Sequence, residues 1–456
     1  MSTSINARQA LTAAGWRQSV TVVIDDNGRI ASVDDRLGSA DHEVGALLPA
    51  MTNLHSHSFQ RAMAGLAESR GKTGEDNFWS WRQVMYHFLD VLTPEAIETI
   101  AVHAQMEMLE SGFAACAEFH YLHHQSGGKP YAQPEELALR QFAAAGCSGI
   151  GLTLLPVLYM RGGLDGRPLA GPQRRFGHSL DQFAELMERL GRHFASECDD
   201  FGLGVAPHSL RAVTPDALTA VANMVPGQPV HLHIAEQQAE VDEVRKALGT
   251  SPVNWLLDHC NVDERWCLVH ATHVDDNETR LLAKTGAVAG LCPLTEANLG
   301  DGIFPAPDYL SAGGKWGVGT DANTLISVSE ELRMLELSQR LRDRERVVMS
   351  NEQTPSNGRL LYTQAAQGGA QAAGRNSGSI EAGKLADLVA LDDEDYWLTG
   401  LTGDRVLDTW IFACTGNPVS DVWSAGRHMV TQGRHVQRDR IAKPFTETMK
   451  SLRQSL

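Results

Sequence analysis

The stretch PVHLHIAEQQAEVDEVRKAL, residues 229–248, holds a short apolar run, Pro229–Ile234, and a helical segment, Glu236–Leu248. The same alternation recurs on both sides of it. The apolar runs are Leu47–Leu54, Gly112–Phe119, Gly149–Leu158, Gly202–Pro207, Pro229–Ile234, Trp266–His270, Ala287–Cys292 and Lys315–Thr320, eight in all. Helical segments separate them, among them Pro94–Glu110, Pro134–Ala145, Leu180–Ser196 and Pro215–Asn223. Strands alternating with helices predict βαβ units and a parallel sheet. Eight of them predict a closed (β/α)8 barrel over residues 49–375. Residues 60–92 form a long excursion after the first strand, and long loops of that kind usually build a barrel's active site.

Both ends of the chain read differently. Val20–Ile24, the turn Asp26-Asn27-Gly28 and Arg29–Val33 predict a hairpin. Leu385–Leu391 follows a turn at Glu381–Gly383, and Val419–Val430 predicts a strand pair around Gly426. Residues 1–48 and 376–456 are therefore expected to form one small β-sandwich domain from both termini.

The 456 residues exceed the size at which a single core stops growing, about 250–300 residues, which fits a barrel plus a second unit. With 56 Asp+Glu against 39 Lys+Arg the formal charge is −17. That balance excludes the basic stripe a nucleic-acid partner requires and disfavours anionic membrane surfaces. Hydrophobic residues at 43% and charged residues at 21% are ordinary for a globular chain and exclude a disordered one. Seven cysteines lie scattered at 116, 147, 198, 260, 267, 292 and 414 with no C-x-x-C, so reduced thiols are expected and not a disulfide framework or thiolate zinc site. The N-terminus lacks a signal-peptide pattern, and the longest apolar stretch, Gly149–Met160, is shorter than the roughly 18–20 residues of a membrane span. A cytoplasmic protein is expected.

In a barrel the informative positions are the C-terminal ends of the strands. The first gives Asn53-Leu-His55-Ser-His57, the fifth His231-Leu-His233-Ile-Ala-Glu236, the sixth Leu268-Val-His270 and the eighth Gly317-Val-Gly-Thr-Asp321. Residues two apart on a strand share a face, so His55 and His57 present two imidazoles side by side, an arrangement suited to a metal. His231 shares the face of His233 but lies one layer deeper, where a satisfied core histidine is expected. Histidines and an aspartate at four separate strand ends form a coherent constellation of potential ligands.

This constellation resembles the amidohydrolase superfamily: H-x-H after strand one, H-x-x-E after strand five, His after strand six and Asp after strand eight. Gly378-Ser-Ile-Glu-Ala-Gly-Lys-Leu-Ala-Asp-Leu-Val-Ala-Leu-Asp392 also resembles that superfamily's C-terminal β-sandwich segment. Two-metal members generally use a lysine or an acidic substitute near the end of strand four. This chain has no lysine between Lys129 and Lys246. The resemblance thus implies a single metal held by His55, His57, His233 and Asp321, with zinc favoured and iron or manganese as alternatives. It further implies Glu236 as general acid/base, His270 as the group orienting the attacking hydroxide, and Asp321 as ligand and proton acceptor. The implied chemistry is hydrolysis of a C–N bond at an amidine-like carbon with release of ammonia.

The substrate has to come from other loops. Gln60, Arg82, Tyr121, His208 and Arg211 are the candidate contacts, and two guanidinium forks suit two carboxylates. His55–Gly65, Trp79-Ser-Trp-Arg82, Glu118-Phe-His-Tyr121-Leu-His-His124, Pro207-His208-Ser-Leu-Arg211 and His231–Gln237 resemble the formiminoglutamate deiminases of histidine degradation. The resemblance implies a small amidine carrying two carboxylates as substrate, and a homodimer. Two competing readings remain. One is a purine or pyrimidine deaminase of the same type, which would call for aromatic stacking and amide contacts. The other is a non-catalytic metal-site scaffold, which would be expected to lack a ligand or the catalytic glutamate. The stripe Met334, Leu335, Leu337 and Leu341 is expected to pack on the barrel, with an interface as the second reading.

Overall fold

The structure, a computed structural model, describes residues 2–35, 38–69, 78–194 and 200–455. Residues 70–77 of the long excursion and Cys198 lie outside the described residues.

The barrel strands are Met51–Ser56, Phe113–His120, Gly151–Leu158, the pair Phe201–Leu203 and Ala206–Pro207, Val230–Ile234, Trp266–His270, Val288–Leu291 and Lys315–Val318. All neighbours pair in parallel. They form two arcs, and an isolated parallel bridge spans each seam: Ser56 with Asp321, and Val205 with Val230. At the first seam Asp321 N donates to His55 O and His57 N donates to Asp321 O, each at 2.9 Å. Strands one and eight approach closely there because Gly319 has no side chain. A Cβ at that position would stand 2.7 Å from the backbone N and O of His55.

Helices wrap the strands, and their starts follow from local chemistry. Pro94–Ser111 and Pro215–Met224 each begin with Pro after a threonine, and the hydroxyls of Thr93 and Thr214 accept the N–H groups of Ala96 and Ala217. The helix after strand five runs from Gln238 to Leu248, so Glu236 precedes it. The left-handed backbone of Ala235 (φ 51°) turns the chain between strand and helix and leaves Glu236 on the strand-end loop.

Two apolar runs divide differently from the sequence reading. Leu47–Leu54 breaks at Ala50: His42–Pro49 belongs to the terminal sheet, and the barrel begins at Met51. Gly202–Pro207 is interrupted at Gly204, whose missing Cβ would meet Pro229 O at 2.6 Å. The N-terminal strand Thr3–Thr12 carries no clear turn or alternation signal, yet it pairs with Gly15–Ile24 and His42–Pro49.

Strands from both termini form one eight-stranded mixed sheet, with His42–Pro49 hydrogen-bonded to Leu388–Leu391 at its centre. Alternation gives it two apolar faces. Leu48, Val389 and Leu391 join the barrel core, whereas Leu47, Leu388, Ala390 and Trp423 close a separate core with Ile5, Val20 and Val22. Buried Arg375 ties sheet to barrel, reaching Asp387 through Nε at 2.6 Å and Asp200 through Nη2 at 2.5 Å. The stripe on helix Val328–Asp343 is split: Leu335 is buried in the barrel core and Leu341 is 81% exposed. Among the described residues no helix is long and apolar enough to cross a membrane.

Candidate active site

The ends of strands one, five, six and eight converge on a pocket of about 570 Å³ of free space including its mouth. Its lining includes His57, His233, Glu236, His270 and Asp321 on one side, and Gln60, Arg82, Tyr121, His208 and Arg211 on the other. His55 lies directly beneath, fully buried. These strand ends are strained. Among the described residues ten non-glycine positions have positive φ, and Ala235, His270, Ala271, Asp321 and Asn323 are five of them. Each such residue costs about 1–2 kcal/mol, and strain of this kind gathers where a site over-determines the backbone.

His55, His57 and His233 bring ring nitrogens within 4.8 Å of one another. His57 Nδ1 donates to Phe119 O at 3.0 Å, and His233 Nδ1 lies 3.3 Å from His208 O. Those carbonyls fix the tautomers, so both Nε2 lone pairs turn inward. Asp321 Oδ1 stands 3.5 Å from His55 Nε2 and 3.2 Å from His57 Nε2. Burial drives the three imidazoles to their neutral forms, His55 down to about 3. Burial would raise the Asp321 carboxyl, but the surrounding histidines outweigh it and hold the group ionised. Three neutral nitrogen donors and one carboxylate, with their lone pairs converging, fit a divalent cation of zinc-like preference.

Glu236 is buried beside this cluster, with Oε1 3.8 Å from His270 Nε2. Burial raises its carboxyl pKa, and Asp321 and Glu240 push it further, against the opposing pull of His270. His270 Nε2 is also 3.8 Å from Asp321 Oδ2. His231 Nε2 bonds Ala372 O at 2.8 Å in the barrel core and lies off the pocket.

Across the pocket, Gln60 Nε2 donates to Tyr121 OH at 2.7 Å, and Gln60 Oε1 is buried with no partner among the described residues. Arg82 donates to Tyr159 OH at 3.1 Å. Arg211 Nε is buried and has no partner among the described residues. Burial disfavours its charge, but Glu240, Tyr159, Glu236 and Glu243 outweigh this and keep the guanidinium protonated. Burial, with Arg211 and Arg82 nearby, keeps His208 neutral. The wall therefore offers two cations and several neutral polar groups to an anionic ligand.

The chain matches the amidohydrolase family over residues 46–429. It is 48% identical to the formimidoylglutamate deiminase of Pseudomonas aeruginosa over 98% of this chain and 99% of that protein. The chain belongs to the amidohydrolase family. The crystal structure of an amidohydrolase from Brucella melitensis superposes with a TM-score of 0.94 at 47% identity, covering 99% of each chain. A more distant relative, the 5-methylthioadenosine/S-adenosylhomocysteine deaminase of Natronomonas pharaonis, is 26% identical over 85% of this chain and 83% of its own.

The sequence reading missed several pocket residues of this amidohydrolase. Tyr159 follows directly after strand three, so the strand-end rule reaches it once that end is read. Trp81 and Met85 come from the helix Phe78–Val91 inside the excursion after strand one, and Phe176 from the connection after strand three, so none of them stands at a strand end. Glu296 lies five residues past strand seven and reaches back to His270, so a search of strand ends stops short of it.

Proposed function

We propose that the chain hydrolyses the formimino C–N bond of N-formimino-L-glutamate, giving N-formyl-L-glutamate and ammonia, the deiminase step of histidine degradation. One observation carries the reading: two arginines, Arg82 and Arg211, face the His57, His233, Glu236, His270 and Asp321 cluster across a single pocket. A dicarboxylate amidine is the ligand that uses both halves. The similarity to a protein named formimidoylglutamate deiminase supports the same substrate. His55, His57, His233 and Asp321 would hold one divalent cation in this reading, zinc by donor chemistry, with iron or manganese as alternatives. The chemistry such a cation would supply there is activation of water as a nucleophile near neutral pH.

The chain's own residues do the rest. Arg211 with His208, and Arg82 with Gln60 and Tyr121, fix the two carboxylates and set the amidine carbon over the cluster. Glu236 carries a proton through Oε1 to the departing nitrogen, and its raised pKa suits a group that must both take and give one near neutrality. His270 orients the attacking water through Nε2. Residues 51–375 act as the catalytic barrel, with 1–50 and 376–456 as its supporting unit. The protein works as a cytoplasmic homodimer. Ammonia release from N-formimino-L-glutamate, with the aspartate analogue and a panel of adenosine, guanine and cytosine substrates alongside, tests the reading. Turnover of a heterocycle in preference to the amidine would overturn it.

A further inference from the structure

Glu296 belongs to the short helix Pro293–Leu299, and its side chain turns back to His270, which lines the pocket. Its Oε1 lies 3.2 Å from His270 Nδ1 and accepts the backbone N–H of Cys292 at 2.9 Å. Glu296 is 5% exposed and His270 1%. The contact links the end of strand six to the short helix that follows strand seven.

The nitrogen of a histidine that faces its target is set by the hydrogen bond the other nitrogen makes. With Nδ1–H given to Glu296, Nε2 is the atom turned toward the pocket, 3.8 Å from both Glu236 Oε1 and Asp321 Oδ2. The backbone gives this ring an unusual start, because His270 and Ala271 both have left-handed φ, 69° and 48°. A side chain leaving the sheet on such a turn needs an anchor of its own. The carboxylate of Glu296 is held from behind by the Cys292 amide, so it is itself placed before it meets the ring.

We propose that Glu296 is a positioning residue for the hydrolysis: it fixes the tautomer and tilt of His270 so that Nε2 points at the reacting centre. It acts on the reaction only through that ring. The inference rests on the reading of His270 as the group that orients the attacking water. The competing view is that Glu296 only braces the turn after strand seven.

The test compares Glu296→Ala and Glu296→Gln with the parent holoenzyme. Glutamine keeps an oxygen that can accept both N–H groups. Loss of such an outer hydrogen bond typically costs about 10–100-fold in activity, so the alanine variant should lose about that much kcat with KM and zinc content little changed. The glutamine variant should recover most of the loss. A second readout needs no substrate: 15N-histidine NMR should show the His270 proton on Nδ1 in the parent and in Glu296→Gln, and not in Glu296→Ala. An alanine variant with parental kcat overturns the proposal, as does an unchanged His270 tautomer. A loss of zinc or of thermal stability equal in both variants assigns Glu296 to bracing the turn and overturns it too. If the parent itself does not turn over formiminoglutamate, the substrate reading fails, while the NMR result still decides the role of Glu296.

Discussion

His55 Nε2 lies 3.0 Å from His233 Nε2, and both rings are buried. His233 spends its Nδ1 on the carbonyl of His208, so its Nε2 presents a lone pair to His55. Burial keeps both rings neutral, so at most a single N–H of His55 can lie between the two nitrogens, and a cation bound by both would take its place. Chelation should therefore abolish turnover, and stoichiometric zinc should restore it. A metal bound only by the native state stabilises it by about 4 kcal/mol at a thousandfold excess over Kd, so the thermal midpoint should fall on chelation and return with zinc. Plasma metal analysis should give one equivalent per chain, and near zero for His55→Ala.

Glu236 gives a prediction with a sign. Burial raises its carboxyl above the ordinary carboxylate range. It must be ionised to take the first proton, so kcat/KM should fall tenfold per pH unit below a midpoint that lies above that range. Glu236→Gln should keep its metal, lose about 10²–10⁴-fold in kcat, and lose that acidic limb. Near-normal turnover in this variant would remove Glu236 from proton transfer.

Much of this was legible in the chain because strands and ligands obey short-range rules. Trp266–His270 reads as a strand and is one, with His270 at its end. Strand-end residues stay near their strand, so His55, His57, His233, His270 and Asp321 could be gathered from four places. What stayed hidden depends on long-range contact. Glu296 finds His270 across 26 residues of sequence, and Tyr159 meets Arg82 across 77. The strand Thr3–Thr12 owes its form to pairing with Gly15–Ile24 and His42–Pro49, while its own sequence alternates weakly. The division of Leu47–Leu54 at Ala50 is likewise a tertiary outcome, since both halves are equally apolar and only their partners differ.

The arginine pair makes a separable claim about binding. Truncating one partner of a buried charge contact costs about 2–5 kcal/mol. Arg211→Met should lower kcat/KM on formiminoglutamate by that much, with zinc content unchanged. Arg82→Met should lower it by the smaller end of that range, because Arg82 is partly exposed and keeps Tyr159 as a neighbour. Because both variants lose a contact to a carboxylate, a monocarboxylate amidine should suffer less from one of the two losses, and steady-state kinetics on the two substrates would identify which arginine holds which group. Unchanged kcat/KM in both variants would refute the clamp.

Glu118 offers a test of stability that is independent of catalysis. It is buried on the outward face of strand two and accepts the backbone N–H and the hydroxyl of Ser58, each at 2.8 Å. Burial pushes its carboxyl up to about 7, with the Ser58 and Ser56 donors pulling the other way. A raised acid pKa means the native state holds a proton that the unfolded chain releases. Stability from this group is thus full below about pH 4.5 and is lost as pH rises toward about 7, by up to roughly 1.4 kcal/mol per unit. Glu118→Gln keeps an acceptor for both Ser58 donors and cannot ionise. Denaturant unfolding of the two proteins from pH 5 to 8 should show the variant gaining on the parent as pH rises, with the gap levelling off above about pH 7. A constant gap across that window would show that Glu118 does not change protonation on unfolding.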